Sequence, residues 1–563
     1  MRGAAMNARF SQLIAGSPVT VRRLFGGDIS PATNIQYPTQ VPRSRSPSAM
    51  SSPAERPDFG LSASDLLVTV RRRGEGRDTR NDAAEVSVPG ASPAFLLTAV
   101  LLLCGHPGEM YAMPESGAAC APAEPPARYL VVFDPRTPAE HAVNEIDTSC
   151  GELTTYYAEI AVGVATSADA HFAERLGEHR AFSAQRHRRG LPVPSPNTTS
   201  PRRLIPTEAA EDLTDRQWNL RAVRAEAAHV HQRGSADVVV GVLDSGIDTS
   251  HPELAHAVLP ELSTNCLSGT PEPSRTDGEP PASAHGTHVA GILAAAADER
   301  GVTGVAPGVK VASVRVVDDH GRVSPEAAVC GLLWAAEQGF TLVNGSFLIE
   351  PWAKPCAREP GRAAVREAVR RALRHAHDEG TLTVVAASNK ATELTPAGAR
   401  SDRAGCETLP AGLRDAVSVS ASDRHGLKAG YSAYGLSVID LTAPGGEPGD
   451  CVLSTVPGGY GTLCGTSMAA PHVTGVAALL ASHHPGLPPD RLRDTLLHTA
   501  SPVPCPDDYD LTGNGVQNAY CEGYAGYNGF YGHGMVDAYA AVNSVSTTQG
   551  GDTTSDAIDP EDG

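Results

Sequence analysis

Ser467 lies in the string Gly465-Thr466-Ser467-Met468-Ala469-Ala470-Pro471-His472, just ahead of an apolar, alanine-rich run from Val473 to Ser482 that reads as a helix. A hydroxyl at such an N-terminus faces unpaired backbone N–H groups and the positive end of the helix dipole. That setting suits a nucleophile whose attack creates an oxyanion. It also suits an N-capping serine, the plain alternative. Two upstream motifs need explaining as well. Asp244 ends Val238-Val239-Val240-Gly241-Val242-Leu243-Asp244, aliphatic residues around one glycine that read as a buried strand of a parallel sheet. Its carboxylate then falls at the strand's carboxyl end, where open α/β sheets hold their sites. His285 opens His285-Gly286-Thr287-His288-Val289-Ala290-Gly291, leading into a second helical stretch, Ile292 to Ala297. Taken singly, a strand-end Asp can be a helix cap and a helix-start His a solvated side chain.

Taken together, the three motifs resemble the subtilisin-like (subtilase) serine peptidase family. The string around Ser467 matches that family's nucleophile motif, and the order Asp…His…Ser, with separations of 41 and 182 residues, is the family's own. The resemblance implies that Ser467 is the nucleophile, His285 the general base and then acid, and Asp244 the group that fixes the imidazole tautomer. His288 is assigned to the helix as a structural residue. The run Val384-Val385-Ala386-Ala387-Ser388-Asn389 is a buried strand entering a polar turn, and Asn389 corresponds to the family's oxyanion asparagine. Leu342 to Leu348 corresponds to the strand that pairs with an extended substrate, which puts Ser346, Phe347, Leu348, Ala387 and Ser388 at the substrate. The family usually has glycine where Leu348 and Ser388 stand. Side chains there narrow the pocket for the residue before the scissile bond, an expectation of preference for small or unusual side chains.

The elements that must position these groups alternate strand and helix, which by itself argues an α/β fold with a doubly wound, mainly parallel sheet. The resemblance extends over most of Gln217 to Val542. Residues 211–545 are accordingly assigned to a subtilisin-like catalytic domain. Ahead of it, residues 127–188 form a small α+β unit that resembles the inhibitory propeptide of the family, implying an intramolecular inhibitor and chaperone that is cut away. A protein-binding module that stays attached is the alternative. Residues 189–210 read as a processing linker, with Pro192, Pro194, Pro196 and the pairs Arg188-Arg189 and Arg202-Arg203.

Residues 93–126 contain Ala94 to Cys104, an 11-residue apolar run of signal-peptide size and too short to span a bilayer. Residues 1–92 read as a disordered or misassigned extension, and 546–563 as a disordered acidic tail. Eight of the 11 cysteines fall in the catalytic unit, an even set that suggests disulfides; Cys505–Cys521 and Cys451–Cys464 are the local pairings expected. Cys464, three residues before Ser467, is expected to be structural. The 41 Arg against four Lys hint at a GC-rich, bacterial source.

The formal net charge of −19 argues against nucleic-acid partners. The chemistry requires no cofactor, and structural calcium is allowed. Its one legible candidate is the loop holding Asp510, Thr512, Asn514 and Asn518, for which an ordinary Asx/Gly turn is the competing account. The expectation is a secreted, extracellular, monomeric serine endopeptidase acting on polypeptides, self-processed from a zymogen, with no membrane span in its mature form. The alternatives are a dedicated precursor- or leader-processing protease of narrow specificity, and a non-catalytic binding scaffold.

Overall fold

The computed structural model describes residue 120 and residues 125–189, 202–207, 211–273, 281–351, 361–394 and 407–544. The signal-like run, the N-terminal extension and the acidic tail lie outside these residues.

The N-terminal unit is a four-stranded antiparallel sheet in the order β2-β3-β1-β4, with β1 Ala127–Val132, β2 Glu152–Tyr157, β3 Val162–Ser167 and β4 Ala181–Phe182. It carries α1 (Ala139–Thr148), α2 (Phe172–Leu176) and α3 (Ala184–His187). One face buries Tyr129, Val131, Phe133, Ile146 and Phe172 beneath α1 and α2. A disulfide, Cys120–Cys150, ties residue 120 to the end of α1, so this unit begins upstream of the expected residue 127.

The segment β5 (Arg202–Pro206) corrects the expectation of a linker running to residue 210. It pairs antiparallel with β15 (Gly459–Leu463), which itself pairs with β14 (Val452–Val456). Ile205 packs with Leu213, Ala295, Leu453 and Tyr460.

The large sheet has eight strands in the order β13-β12-β11-β10-β6-β9-β7-β8. Its members are β6 (Val239–Asp244), β7 (Thr264–Asn265), β8 (Glu272–Pro273), β9 (Lys310–Arg315), β10 (Leu342–Gly345), β11 (Leu382–Ala386), β12 (Ala416–Ser422) and β13 (Leu441–Pro444). All neighbours are parallel except β7 and β8. The chain leaves β6 toward β9 and returns to β10 on its other side, so the strand order reverses there. A crevice at the carboxyl ends is the consequence.

Both sheet faces are covered, as a parallel sheet requires. Val240, Val242, Val384 and Val419 pack under α4 (His285–Ala294) and α7 (Thr466–His483). Leu243, Val314, Val343 and Val385 face α5 (Pro325–Glu337) and α6 (Arg362–Asp378). That second core continues without a break into Leu130, Val132, Ile160, Val162 and Phe182 of the N-terminal unit.

Helix α4 stops at Ala294 although Ala295 to Ala297 are strong helix formers. The Ala296 N–H donates to Glu253 O instead (3.0 Å), and Ala295 O accepts from Gly304 N (3.0 Å). Helix α7 starts earlier than its apolar run, with Gly465 as its cap. Cys505–Cys521 and Cys451–Cys464 are paired as expected, and Cys266–Cys330 joins the end of β7 to α5.

Candidate active site

Register brings the site together. Leu243 of β6 pairs with Gly345 of β10, so Asp244 and Ser346 are the next residues on adjacent strands, about 4.8 Å apart by sheet spacing. Each holds one partner. The Asp244 carboxylate, fully buried, faces His285 Nδ1 at 2.8 and 2.9 Å. Its Oδ1 also accepts from Ser245 N (2.7 Å), and His285 N donates to Ser283 Oγ (3.2 Å). With Nδ1 committed to Asp244, Nε2 is left for the reacting proton. Gly286 follows the histidine because a Cβ there would strike Gly246 O and sit 3.1 Å from Asp244 Oδ1.

Ser467 is fixed by Ser346 in two directions. Ser467 Oγ donates to Ser346 O (3.1 Å), and Ser346 Oγ donates to Ser467 O (2.9 Å). Before substrate arrives, nucleophilic hydroxyls often hold such a substitute partner and turn to the base only in the Michaelis complex. A buried chain of hydrogen bonds supports this arrangement from below. Thr474 Oγ1 donates to Asn344 Oδ1 (2.9 Å), and Asn344 Nδ2 donates to Ser346 Oγ (2.9 Å). Sequence reasoning gave Asn344 and Thr474 no role, yet a lone amide inside the otherwise apolar strand Leu342–Gly345 needs a partner. That was the available signal.

Two N–H donors converge on one point, as an oxyanion site requires. Asn389 Oδ1 accepts from Thr466 N (2.9 Å) and Thr466 Oγ1 (2.8 Å), which fixes the flip of the amide and turns Nδ2 the other way. A Cβ placed on Gly465 would lie 3.1 Å from Asn389 Nδ2 and 3.6 Å from Ser467 N. Two N–H donors therefore border one small volume beside the nucleophile, which glycine leaves open. Asn389→Ala is expected to lower kcat about 100- to 1000-fold with KM little changed, the loss known for the equivalent donor in subtilisin. Steady-state kinetics on one peptide substrate check this.

Electrostatics separate the three site-region histidines. Burial pushes His285 toward the neutral form, but the Asp244 charge and hydrogen bond outweigh it and leave its pKa above the ordinary value. His288 is buried, donates from Nε2 to Val452 O (3.1 Å), and is pushed down to about 3, chiefly by burial. His472, held between Asn219 and Met468 O, is pushed down to about 4 by burial. Burial makes both of them poor bases near neutral pH.

The expected pocket residues differ in exposure. Ser346 and Ala387 are buried, while Phe347 and Leu348 are half-buried. Ser388 is 2% exposed, has φ +144°, and its Oγ has no hydrogen-bond partner among the described residues. The Asp510 loop uses its oxygens on itself. Asp510 accepts from Thr512 N and Gly515 N, Asn514 from Val516 N, and Asn518 from Leu511 N. This is a self-closed Asx turn, and among the described residues no group of three or more His, Cys, Asp or Glu is arranged to hold a metal ion.

An imidazole poised by a buried carboxylate at one strand end, with a serine at a helix N-terminus held by the adjoining strand end and flanked by two N–H donors, is the machinery of acyl transfer to serine. On a parallel sheet in the order Asp, His, Ser, it defines a serine-type endopeptidase domain. The chain belongs to the subtilase family, whose model matches residues 235–534. It is 34% identical over 307 residues to subtilisin Savinase of Lederbergia lenta, covering 54% of this chain and 96% of that one. Over 375 residues it is 30% identical to fervidolysin of Fervidobacterium pennivorans, covering 61% of this chain but only 46% of that protein's length. The fold matches a crystal structure of the epidermin leader peptide processing serine protease from Staphylococcus aureus (TM-score 0.54, 17% identity, 76% of this chain and 100% of that one).

Proposed function

We propose that the chain is the zymogen of an exported serine endopeptidase, with residues 120–189 as its intramolecular inhibitor and folding aid. The observation that carries this reading is the continuous core between the N-terminal sheet and helices α5 and α6. Arg371 of α6 clamps the junction, donating through Nη1 to Phe133 O and Ile160 O (2.9 Å each), with Glu367 orienting it through Nε (2.7 Å). A small unit that buries one sheet face against a larger domain is marginal alone and ordered by docking.

The four disulfides among the described residues fit an oxidising compartment, and no helix among those residues is long and apolar enough to cross a membrane. Because β5 is built into the catalytic unit, the maturing cut is assigned between Arg189 and Arg202. N-terminal sequencing of the mature protein tests this; a start inside residues 211–273 would contradict it. Arg371→Ala removes two charge-assisted bonds and is expected to weaken inhibition by the N-terminal unit about tenfold or more, read as Ki in trans.

In the proposed reaction, an extended polypeptide adds along Ser346 to Leu348 and Ser467 Oγ attacks its carbonyl carbon. His285 Nε2 takes the hydroxyl proton, and Asn389 Nδ2 with Ser467 N holds the oxyanion. His285 returns the proton to the leaving amine, and water then releases the acyl group by the same steps.

A narrow specificity is favoured by Ser388. Its positive φ is a glycine-like conformation, costing about 1–3 kcal/mol for another residue, and it directly precedes Asn389 in the chain. Ser388→Gly is expected to raise thermal stability and to improve kcat/KM after Phe or Tyr about tenfold relative to Ala. A peptide library checks both forms; robust cleavage after Phe or Tyr by the parent would end the narrow-pocket account.

A further inference from the structure

Arg188 sits at the end of the N-terminal unit, beyond α3, with its guanidinium between two carboxylates of the catalytic unit. Its Nε donates to Glu350 Oε2 (2.6 Å), its Nη2 also pairs with Glu350, and its Nη1 lies 3.5 Å from Asp318 Oδ2. Glu350 is the fourth residue beyond Ser346, whose carbonyl meets the nucleophile. It stands on the segment that leaves β10 through a bend at Phe347, held by Glu350 N to Val323 O (3.0 Å) and the bridge Val323↔Ile349. Asp318 closes the neighbouring turn, accepting from Arg322 N (2.9 Å) and pairing with Arg322 Nε (3.3 Å). A small cavity continues from this point, lined by Arg128, Arg188, Leu267, Asp318, Arg322 and Glu326.

Arg322 neutralises Asp318, but among the described residues the ion-pair partner of Glu350 is Arg188. The Glu350 side chain is only 14% exposed with Arg188 in place. Departure of the N-terminal unit removes that cover together with the cation, and leaves on the catalytic unit a carboxylate placed to pair with another guanidinium. Any residue N-terminal to the maturing cut lies on the acyl side of the scissile bond, Arg188 among them.

Resting on the zymogen reading above, we propose that Glu350 and Asp318 form a cation seat in the mature enzyme. It would take an arginine upstream of the scissile bond in polypeptide substrates. Four residues, at most about 13 Å of chain, separate Ser346 from Glu350. A substrate running antiparallel to that segment would reach the seat about four residues before the bond cut.

The test uses self-processed enzyme from the full chain, its active sites counted by fluorophosphonate labelling. Fluorogenic peptides differ only in carrying Arg or Gln at the third, fourth, fifth or sixth position upstream. One position is expected to show an Arg-over-Gln ratio in kcat/KM of about tenfold or more. That ratio should collapse to within about twofold in Glu350→Gln and fall in Asp318→Asn, with both variants still labelled as evidence of folding. Equal rates at every position, or a preference that survives Glu350→Gln, overturn the seat. So does a Glu350→Gln variant that only weakens inhibition by the N-terminal unit, which would make the contact a docking pair alone. A labelled, self-shortened enzyme without arginine preference refutes the seat and leaves the zymogen reading standing. A chain that is never shortened refutes both, since nothing would vacate the site.

Discussion

Ser467→Ala is expected to lower kcat by about a millionfold, the loss subtilisin itself shows when its serine is removed. The size follows from the geometry. Ser467 is the hydroxyl beside the two N–H donors, and the neighbouring Cys464 cannot replace it, because its sulfur is tied to Cys451. The donors Asn389 Nδ2 and Ser467 N remain, so a residual rate about 10³–10⁴ above the uncatalysed one should persist. Mature variant for this measurement is obtained by letting parent enzyme cut it in trans. A loss smaller than about a hundredfold in kcat would mean that another group attacks the carbonyl.

Asp244→Asn is expected to cost about 10⁴ in kcat, as removal of the equivalent charge does in other serine triads. The amide can present its NH₂ to His285 Nδ1 and force the wrong tautomer, and the imidazolium formed during attack loses its counter-charge. The pH profile separates this from a mere loss of packing. His285 must be neutral to act as base, so activity rises with pH as the imidazole deprotonates. In the parent, Asp244 outweighs burial and holds that pKa above the ordinary value, so the acid limb of kcat/KM should fall above about 6.5. In the Asn variant the raising influences are gone and burial remains, so the limb should move below that value while the plateau drops. An unmoved limb would sever His285 from Asp244.

Much of the site was legible because its residues sit where local patterns change. Asp244 ends an aliphatic run, Asn389 ends another, and His285 and Ser467 stand at the heads of alanine-rich helices. The parts that escaped are those set by distant partners. Strand β3 is Val-Gly-Val-Ala-Thr-Ser, too small and weakly alternating to announce itself, and it forms because β1 and β2 flank it. β5 follows a proline-rich stretch and reads as linker, but its backbone completes the β14–β15 hairpin. Asn344 is silent until Thr474, 130 residues away, supplies its partner. The Asp510 loop reads two ways in sequence, as a cation loop or an Asx turn, and in the fold backbone N–H groups two to five residues on bond to Asp510.

The most direct test of the account is fluorophosphonate labelling of the purified full chain beside Ser467→Ala, with intact mass and N-terminal sequence read on both. The account predicts one label per molecule on a shortened parent that begins between residues 190 and 202, and an unlabelled, full-length variant. A folded, shortened parent that takes no label, or a variant that is labelled and shortened like the parent, would contradict it.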